Sequence, residues 1–447
     1  MERTDRILRP TKSIGSYPDP MREGDAPHVL IVADNASTRF GGEPFLPLQY
    51  FTRLTARGVP TWMVCHERVR PELEEYLEGQ VDRVAFVRDT GFDRAMWRLG
   101  QKMPYKASAV TTQVAMQLET QVRVRRTVRA LVRQHSISVV HQPTPVSPKQ
   151  PSALWGLGAP LVIGPMNGGM TFPKGLRHRQ HRSERLAVAV TRTAASVANR
   201  LLPGKRRAAL LLVANQRTKD ALPRSVRRTK VEQLVENGVD LHRFQRPTDA
   251  DLVSSADPVP NSAQPLRLCY VGALLDLKAV DILIDAVASA ASSIPVELEI
   301  FGDGEMRADL EQQVDSTGLQ QSIRFRGYLQ QDLLAQELRE SQVLVLPSLL
   351  ECGGAVVLEA MASGLPVIAT AWGGPMDYID EDSGILIAPH SREQMVADIA
   401  QAICDLHGDP ERREALAVGA LRRAQHFDWE RNIDRMLDTY RRASVAI

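Results

Sequence analysis

Short β-branched and aliphatic runs recur along the chain, separated by longer stretches whose apolar positions repeat at helical spacing. In the first half the runs lie at 28–33, 60–65, 83–87, 137–141, 160–163, 209–214 and 231–235. Most are continuously apolar, without in/out alternation, which is the pattern of parallel strands covered on both faces. Between them, 45–57, 112–134 and 180–199 read as helices. The alternation predicts a doubly wound α/β domain over 28–245. It stops at 246–265, a Pro-, Ser- and Asp-rich stretch with little apolar content that reads as a linker. Beyond the linker it restarts, with strands expected near 267–271, 296–301, 322–326, 342–346, 366–370 and 384–387. Helices are expected at 280–292, 305–317, 331–340, 355–363 and 391–406. The pattern predicts a second domain over 266–427 and a C-terminal helix over 428–447 that crosses back to the first domain. The fold class is α/β: two Rossmann-like doubly wound domains facing across a cleft, lined by loops at the carboxyl ends of the strands.

Composition narrows the class. A chain of 447 residues with 43% hydrophobic and 24% charged residues is neither disordered nor fibrous. No run of 18 uninterrupted apolar residues offers a membrane-spanning helix. Residues 1–27 are polar and mixed in charge, without the apolar stretch of a leader, and read as a flexible tail. Cys65, Cys269, Cys352 and Cys404 are far apart and form no CxxC pair. That spacing argues against a disulfide framework or a structural zinc site and fits free thiols in a reducing cytoplasm. The net charge of +2 hides a strong asymmetry: residues 1–250 carry 40 Lys and Arg against 22 Asp and Glu, and residues 251–447 carry 15 against 31. Balances of +18 and −16 predict halves with different partners.

The most informative stretch is Pro347–Pro375, PSLLECGGAVVLEAMASGLPVIATAWGGP. A buried strand ends at Pro347; Glu351, the Gly353–Gly354 pair and a short apolar helix opened by Ala355 and carrying Glu359 follow. Glycines at a helix entry let backbone N–H groups approach an anion, which the positive end of the helix also favours. A carboxylate deeper in that helix is placed to accept hydrogen bonds from a ribose diol, as the acidic residue of dinucleotide folds does. The competing reading makes Glu351 a solvated loop residue and Glu359 a surface position.

The run resembles the E-x7-E segment of retaining GT-B glycosyltransferases of family 4, also called glycosyl transferases group 1. Other pieces agree in order: Tyr270-Val271-Gly272 with Lys278, Phe301-Gly302-Asp303-Gly304, Gly327-Tyr328-Leu329, Glu236-Asn237-Gly238-Val239-Asp240 and Phe427-Asp428-Trp429. The resemblance implies a GT-B fold and a nucleotide-sugar donor. It implies that Lys278 and the amides of Gly353, Gly354 and Ala355 hold the diphosphate, that Glu359, Tyr328 and the Gly302 turn hold the nucleoside, and that Glu351 orients the sugar. Gly42, in the pair that follows the first strand, would let backbone approach a phosphate or sugar, or is a plain turn. His141, at the end of the fourth strand, would by the same resemblance touch a sugar hydroxyl, against the alternative of a satisfied core histidine. Asn167 and Gly168, at the end of the fifth, are acceptor-side candidates.

One position departs from the family. An arginine is usual directly after the strand glycine, and here Ala273 stands there, leaving Lys278 alone unless another basic residue such as Arg39 replaces it. The departure supports an alternative, a non-catalytic sugar-nucleotide-binding subunit of a polysaccharide assembly. Asp380-Glu381-Asp382 has the form of a metal-binding DxD but reads as an acidic turn before Ser383-Gly384, so no metal and no cofactor are expected. Residues 174–207 carry ten Lys and Arg against Glu184 alone. This segment is either a basic helix packed on the sheet or a peripheral surface for anionic membrane lipid or acceptor. No nucleic-acid module accompanies the charge. The reading is a metal-independent retaining glycosyltransferase of the hexosyltransferase type, acting in polysaccharide or glycoconjugate synthesis. Its donor is a nucleotide sugar and its acceptor is glycan or lipid-linked.

Overall fold

The structure, a computed structural model, describes residues 26–38, 42–101, 112–179, 182–226, 228–245 and 264–445. Nearly all of the tail, the linker apart from its last two residues, Arg39 and Gly41 lie outside the described residues. The chain divides into two compact units: Met1–Gly169 with His181–Glu236 and Glu430–Ile447, and Met170–Gln180 with Asn237–Trp429.

The first unit contains β1 (Val29–Val32), α1 (Leu46–Ala56), β2 (Thr61–His66), α2 (Arg70–Tyr76), β3 (Val84–Val87) and α3 (Gly91–Gln101). After them come α4 (Thr112–Gln134), β4 (Val139–Gln142), β5 (Leu161–Met166), α5 (Arg182–Leu201), β6 (Leu210–Val213), α6 (Gln216–Asp220) and β7 (Val231–Gln233). All seven expected strands are present, in one parallel sheet of order β3-β2-β1-β4-β5-β6-β7. The apolar runs are buried because helices cover both faces; α4 lays Val124, Val128 and Val132 against Leu30, Val64 and Val140. Helices α2 and α3 were not expected. In α3, Phe92, Ala95, Met96 and Leu99 recur at helical spacing, and Phe92, Trp97 and Leu99 are exposed.

The second unit contains α7 (Leu241–Phe244), β8 (Leu266–Val271), α8 (Val280–Ala291), β9 (Val296–Phe301), α9 (Arg307–Thr317), β10 (Ile323–Gly327) and α10 (Gln331–Glu340). It continues with β11 (Val343–Leu346), α11 (Ala355–Ala362), β12 (Val367–Thr370), α12 (Pro375–Tyr378), β13 (Gly384–Ile387), α13 (Arg392–Gly408) and α14 (Pro410–Ala424). The parallel sheet has the order β10-β9-β8-β11-β12-β13. Strand order reverses between β8 and β11, the switch point at which open α/β sheets bind ligands. Ser391 and Asp409 cap α13 and α14 by accepting from the amides of Gln394 and Arg412.

The last helix, α15 (Trp429–Val445), packs from Glu430 onward with the first unit. Arg57 reaches Glu430 and Asp434, each at 2.5 Å, and Arg442 reaches Glu232 at 2.8 Å. Met170–Gln180 and Asn237–Gln245, which the sequence reading left in the first half, cluster with the second unit.

Candidate functional site

The loops after β8 and β11 meet at the switch point of the second unit. Each is fixed by backbone hydrogen bonds. The Gly272 amide donates to Phe301 O at 3.0 Å and Leu274 to Asp303 O at 3.0 Å, while the buried Tyr270 hydroxyl donates to Ala273 O at 3.1 Å. The loop ends in a 3-10 turn, Asp276–Lys278. Leu349, just past β11, donates to Leu277 O at 2.9 Å and so ties the second loop to that turn. There Lys278 Nζ donates to Glu351 Oε2, with the two side chains only 18% and 13% exposed. Gly302, at the end of β9, is required by space: a Cβ there would stand 1.9 Å from Gly272 O. Its amide donates to Gly327 O at 2.8 Å, which sets the turn carrying Tyr328, 67% exposed.

Gly354 precedes α11 with φ +77°, a conformation costly for any residue with a Cβ, and offers no side chain to cap the helix. The helix therefore starts without a side-chain cap, and of its first-turn amides Val357 donates to Gly354 O at 2.9 Å. Val357, Leu358 and Met361 of α11 are fully buried. At about 1.5–3 kcal/mol for each such side chain, the helix and its positive end are held firmly. Glu351 O accepts from Gly374 N at 2.7 Å, which fixes the residue that opens the loop. Glu359, one turn into α11, is half-buried. Burial of its carboxyl pushes its pKa up to about 7, and the Arg243 guanidinium from α7 pulls against that rise. The Glu359 carboxylate also adds to the desolvation that raises the Tyr328 phenol. Lys278, Glu351, the 353–355 turn, Glu359, Tyr328 and Gly302 are thus gathered around the β8–β11 switch point of one unit.

The first-unit candidates fare differently. Gly42 is exposed at φ +54°, with nothing within 4 Å of where a Cβ would stand. His141 is fully buried, its Nε2 donating to Gly164 O at 2.6 Å and its Nδ1 accepting from Tyr440 Oη at 2.7 Å. Burial pushes its pKa down to about 4, so the ring is neutral, and both nitrogens are used within the core. That is the satisfied-histidine arrangement, because α15 supplies the second partner. Asn167 is 3% exposed and its amide donates to Glu236 at 2.6 Å, while its oxygen accepts from Arg217 and Thr218, each at 3.3 Å. Gly168, also buried, packs on Pro148, a side-chain carbon of which would lie 2.8 Å from a Cβ. Both belong to an internal polar network rather than to an open surface.

The 174–207 segment is divided between the units. Arg179 is ion-paired to Asp276 and Asp281, and Lys205 is 3% exposed, donating to Pro148 O at 2.8 Å. The side chains of Arg182 and Arg185 lie outside the described residues. Asp380 accepts from Ser383 Oγ at 2.6 Å and pairs with Arg423 at 3.3 Å. Among the described residues no group of three His, Cys, Asp or Glu is arranged to hold a metal ion, and no helix is long and apolar enough to cross a membrane. Sequence reasoning missed Arg243, Arg179 and Trp372. Only Arg179 carried a signal, as one member of a charge run.

Residues 256–420 match the family described as glycosyl transferases group 1. Over 224 residues the chain is 35% identical to D-inositol 3-phosphate glycosyltransferase of Thermomonospora curvata, a match covering 46% of this chain and 50% of that protein. The chain spans about half the length of the curated relatives it matches. HepE of Anabaena, solved in complex with UDP, superposes with a TM-score of 0.61 at 18% identity, covering 92% of this chain and 98% of HepE. Sucrose-phosphate synthase from Thermosynechococcus elongatus gives 0.64 at 20% identity, covering 94% and 100%. With a Rossmann-like parallel sheet in each unit, the chain has the GT-B fold, and its second half carries the match to glycosyl transferases group 1.

Proposed function

We propose that the protein is a retaining glycosyltransferase that moves a sugar from a nucleoside-diphosphate donor to a hydroxyl of a glycan or lipid-linked acceptor. The observation that carries this reading is the pairing of Lys278 with Glu351 beside the uncapped, positive end of α11, with Glu359 deeper in the same helix. A diphosphate arriving there meets an ammonium and a row of backbone donors, both of which favour the charge that grows as the donor bond breaks. It competes with Glu351 for Lys278 and so frees that carboxylate to accept from sugar hydroxyls. Glu359 accepts from the ribose diol, Tyr328 and the Gly302 turn frame the base, and Gly42 offers exposed backbone in the first unit. The departing diphosphate takes the acceptor proton in a front-side attack, so the reading assigns no step to a protein nucleophile or a divalent cation.

The group 1 match over the second half, the curated relatives named for glycosyl transfer to D-inositol 3-phosphate, and UDP in HepE support this reading. The test is a thermal-shift panel of UDP-, GDP-, ADP- and dTDP-glucose. A donor at 100 times its Kd stabilises by about 2.7 kcal/mol, a visible shift. Release of the matching nucleoside diphosphate then separates an enzyme from a binding-only subunit, which would bind and release none. No shift with any of the four would sink the donor reading.

A further inference from the structure

Residues 170–179 follow the fifth strand of the first unit in sequence but are built into the second. Trp372 Nε1, at the end of β12, donates to Thr171 O at 2.8 Å. The Met170 thioether packs on Gly373 so closely that a Cβ there would stand 2.4 Å from its methyl carbon. Phe172 and Leu176 are buried, and Gly175 lies against the His390 carbonyl with no room for a side chain. At the far end Arg179 donates to Asp276 Oδ1 at 2.7 Å and to the two Asp281 oxygens at 2.9 and 3.1 Å. Asp281 is shared with Arg392, 3.4 Å away.

These contacts close a circuit. Asp276 opens the 3-10 turn that ends in Lys278; Lys278 reaches Glu351; Glu351 O is held by Gly374 N; and Trp372 and Gly373, next to Gly374, hold Thr171 and Met170. We propose that the strap Met170–Arg179 is a positioning element that fixes Lys278 and Glu351 against each other by gripping the loop that carries Lys278 and, through Trp372–Gly374, the loop that carries Glu351. Lys278 has four rotatable bonds and sits on a short turn, so its ammonium keeps one place only if the turn does. Arg179 holds the turn from outside through a planar guanidinium shared between two carboxylates, one on the turn and one in the first turn of α8. For catalysis the strap acts through Lys278 and Glu351 and touches no donor atom, a role that rests on the donor-site reading above.

Trace acetylation with acetic anhydride, read by mass spectrometry as Lys278 relative to the exposed Lys219, tests the strap without a nucleotide. Glu351→Gln removes the carboxylate partner and sets the scale by raising Lys278 labelling. Arg179→Gln is expected to raise it several-fold while leaving Lys219 unchanged, and Arg179→Lys to restore part of the protection. A purely structural role would lower the melting temperature without this selective rise. Lys278 labelling at the wild-type rate in Arg179→Gln would overturn the proposal. Should Arg179→Gln not fold, Trp372→Phe deletes only the indole donor and is read by the same criterion. Loss of the donor reading looks different: Lys278→Ala would bind UDP, GDP, ADP and dTDP as wild type does, whatever the labelling shows.

Discussion

Replacing Glu359 by Gln should stabilise the free protein and weaken its nucleotide binding, and the size of the first effect follows from burial. The carboxyl ionises near 7 in the folded chain and near 4.5 when unfolded. The folded state therefore holds its proton where the unfolded state has released it, and stability falls as pH rises from about 4.5 to 7. At 1.36 kcal/mol per pH unit the full gap corresponds to about 3.4 kcal/mol. Solvent reaches part of the residue and Arg243 offsets part of the burial, so about 1–3 kcal/mol is expected above pH 7. Gln has the same shape and no charge to desolvate. At about 2–4 °C per kcal/mol for a domain of this size, Glu359→Gln should melt about 2–12 °C higher than wild type at pH 8, and no higher at pH 4. On the ribose assignment proposed above, losing the carboxylate should cost nucleotide binding about 1–3 kcal/mol. Scanning calorimetry across pH, with titration calorimetry for the nucleotide that the panel identifies, measures both. A variant no more stable at pH 8 than at pH 4 relative to wild type would refute the burial argument. Unchanged nucleotide affinity would refute the ribose assignment.

Ala273→Arg should tighten nucleoside-diphosphate binding by up to about 1.5–3 kcal/mol if its guanidinium reaches the diphosphate from this exposed position; an equal or weaker affinity by calorimetry would show that the charge is not needed there. Tyr440→Phe removes the hydroxyl that donates to His141 and should lower stability by about 1–2 kcal/mol in urea titrations while leaving nucleotide affinity unchanged. The histidine's low pKa gives the opposite pH sign from Glu359: stability is complete above 6.5 and is lost as pH falls toward 4, so Tyr440→Phe and acid should both loosen α15, visible as faster hydrogen exchange over 430–445. Cys352 is the exposed one of the four cysteines and lies between Glu351 and Gly353; its alkylation should block nucleotide binding, and prior nucleotide should slow the alkylation.

The sequence by itself determined the sheets and which residues gather at the switch point. Most of the thirteen strands were legible because a parallel strand buried on both faces is written as an unbroken apolar run; β9 (VELEIF) and β10 (IRFRG) were legible from alternation instead. Glu351, Gly353, Gly354 and Glu359 were legible because a loop, a helix entry and one turn of helix place residues a few positions apart in a fixed relation. α3 was legible in principle, since Phe92, Ala95, Met96 and Leu99 recur at helical spacing; what the sequence did not show is that Phe92, Trp97 and Leu99 stay exposed. Only the tertiary structure decided where long-range partners meet. His141 takes the Tyr440 hydroxyl from 299 residues away, which turns a candidate ligand into a core residue. Arg179 takes Asp276 from 97 residues away, which removes it from a basic surface and places it behind Lys278. Burial alone moves Glu359 from an ordinary carboxylate to one poised near neutrality. Local spacing fixes backbone geometry, but a side chain's partner and its dielectric surroundings exist only once distant segments have packed.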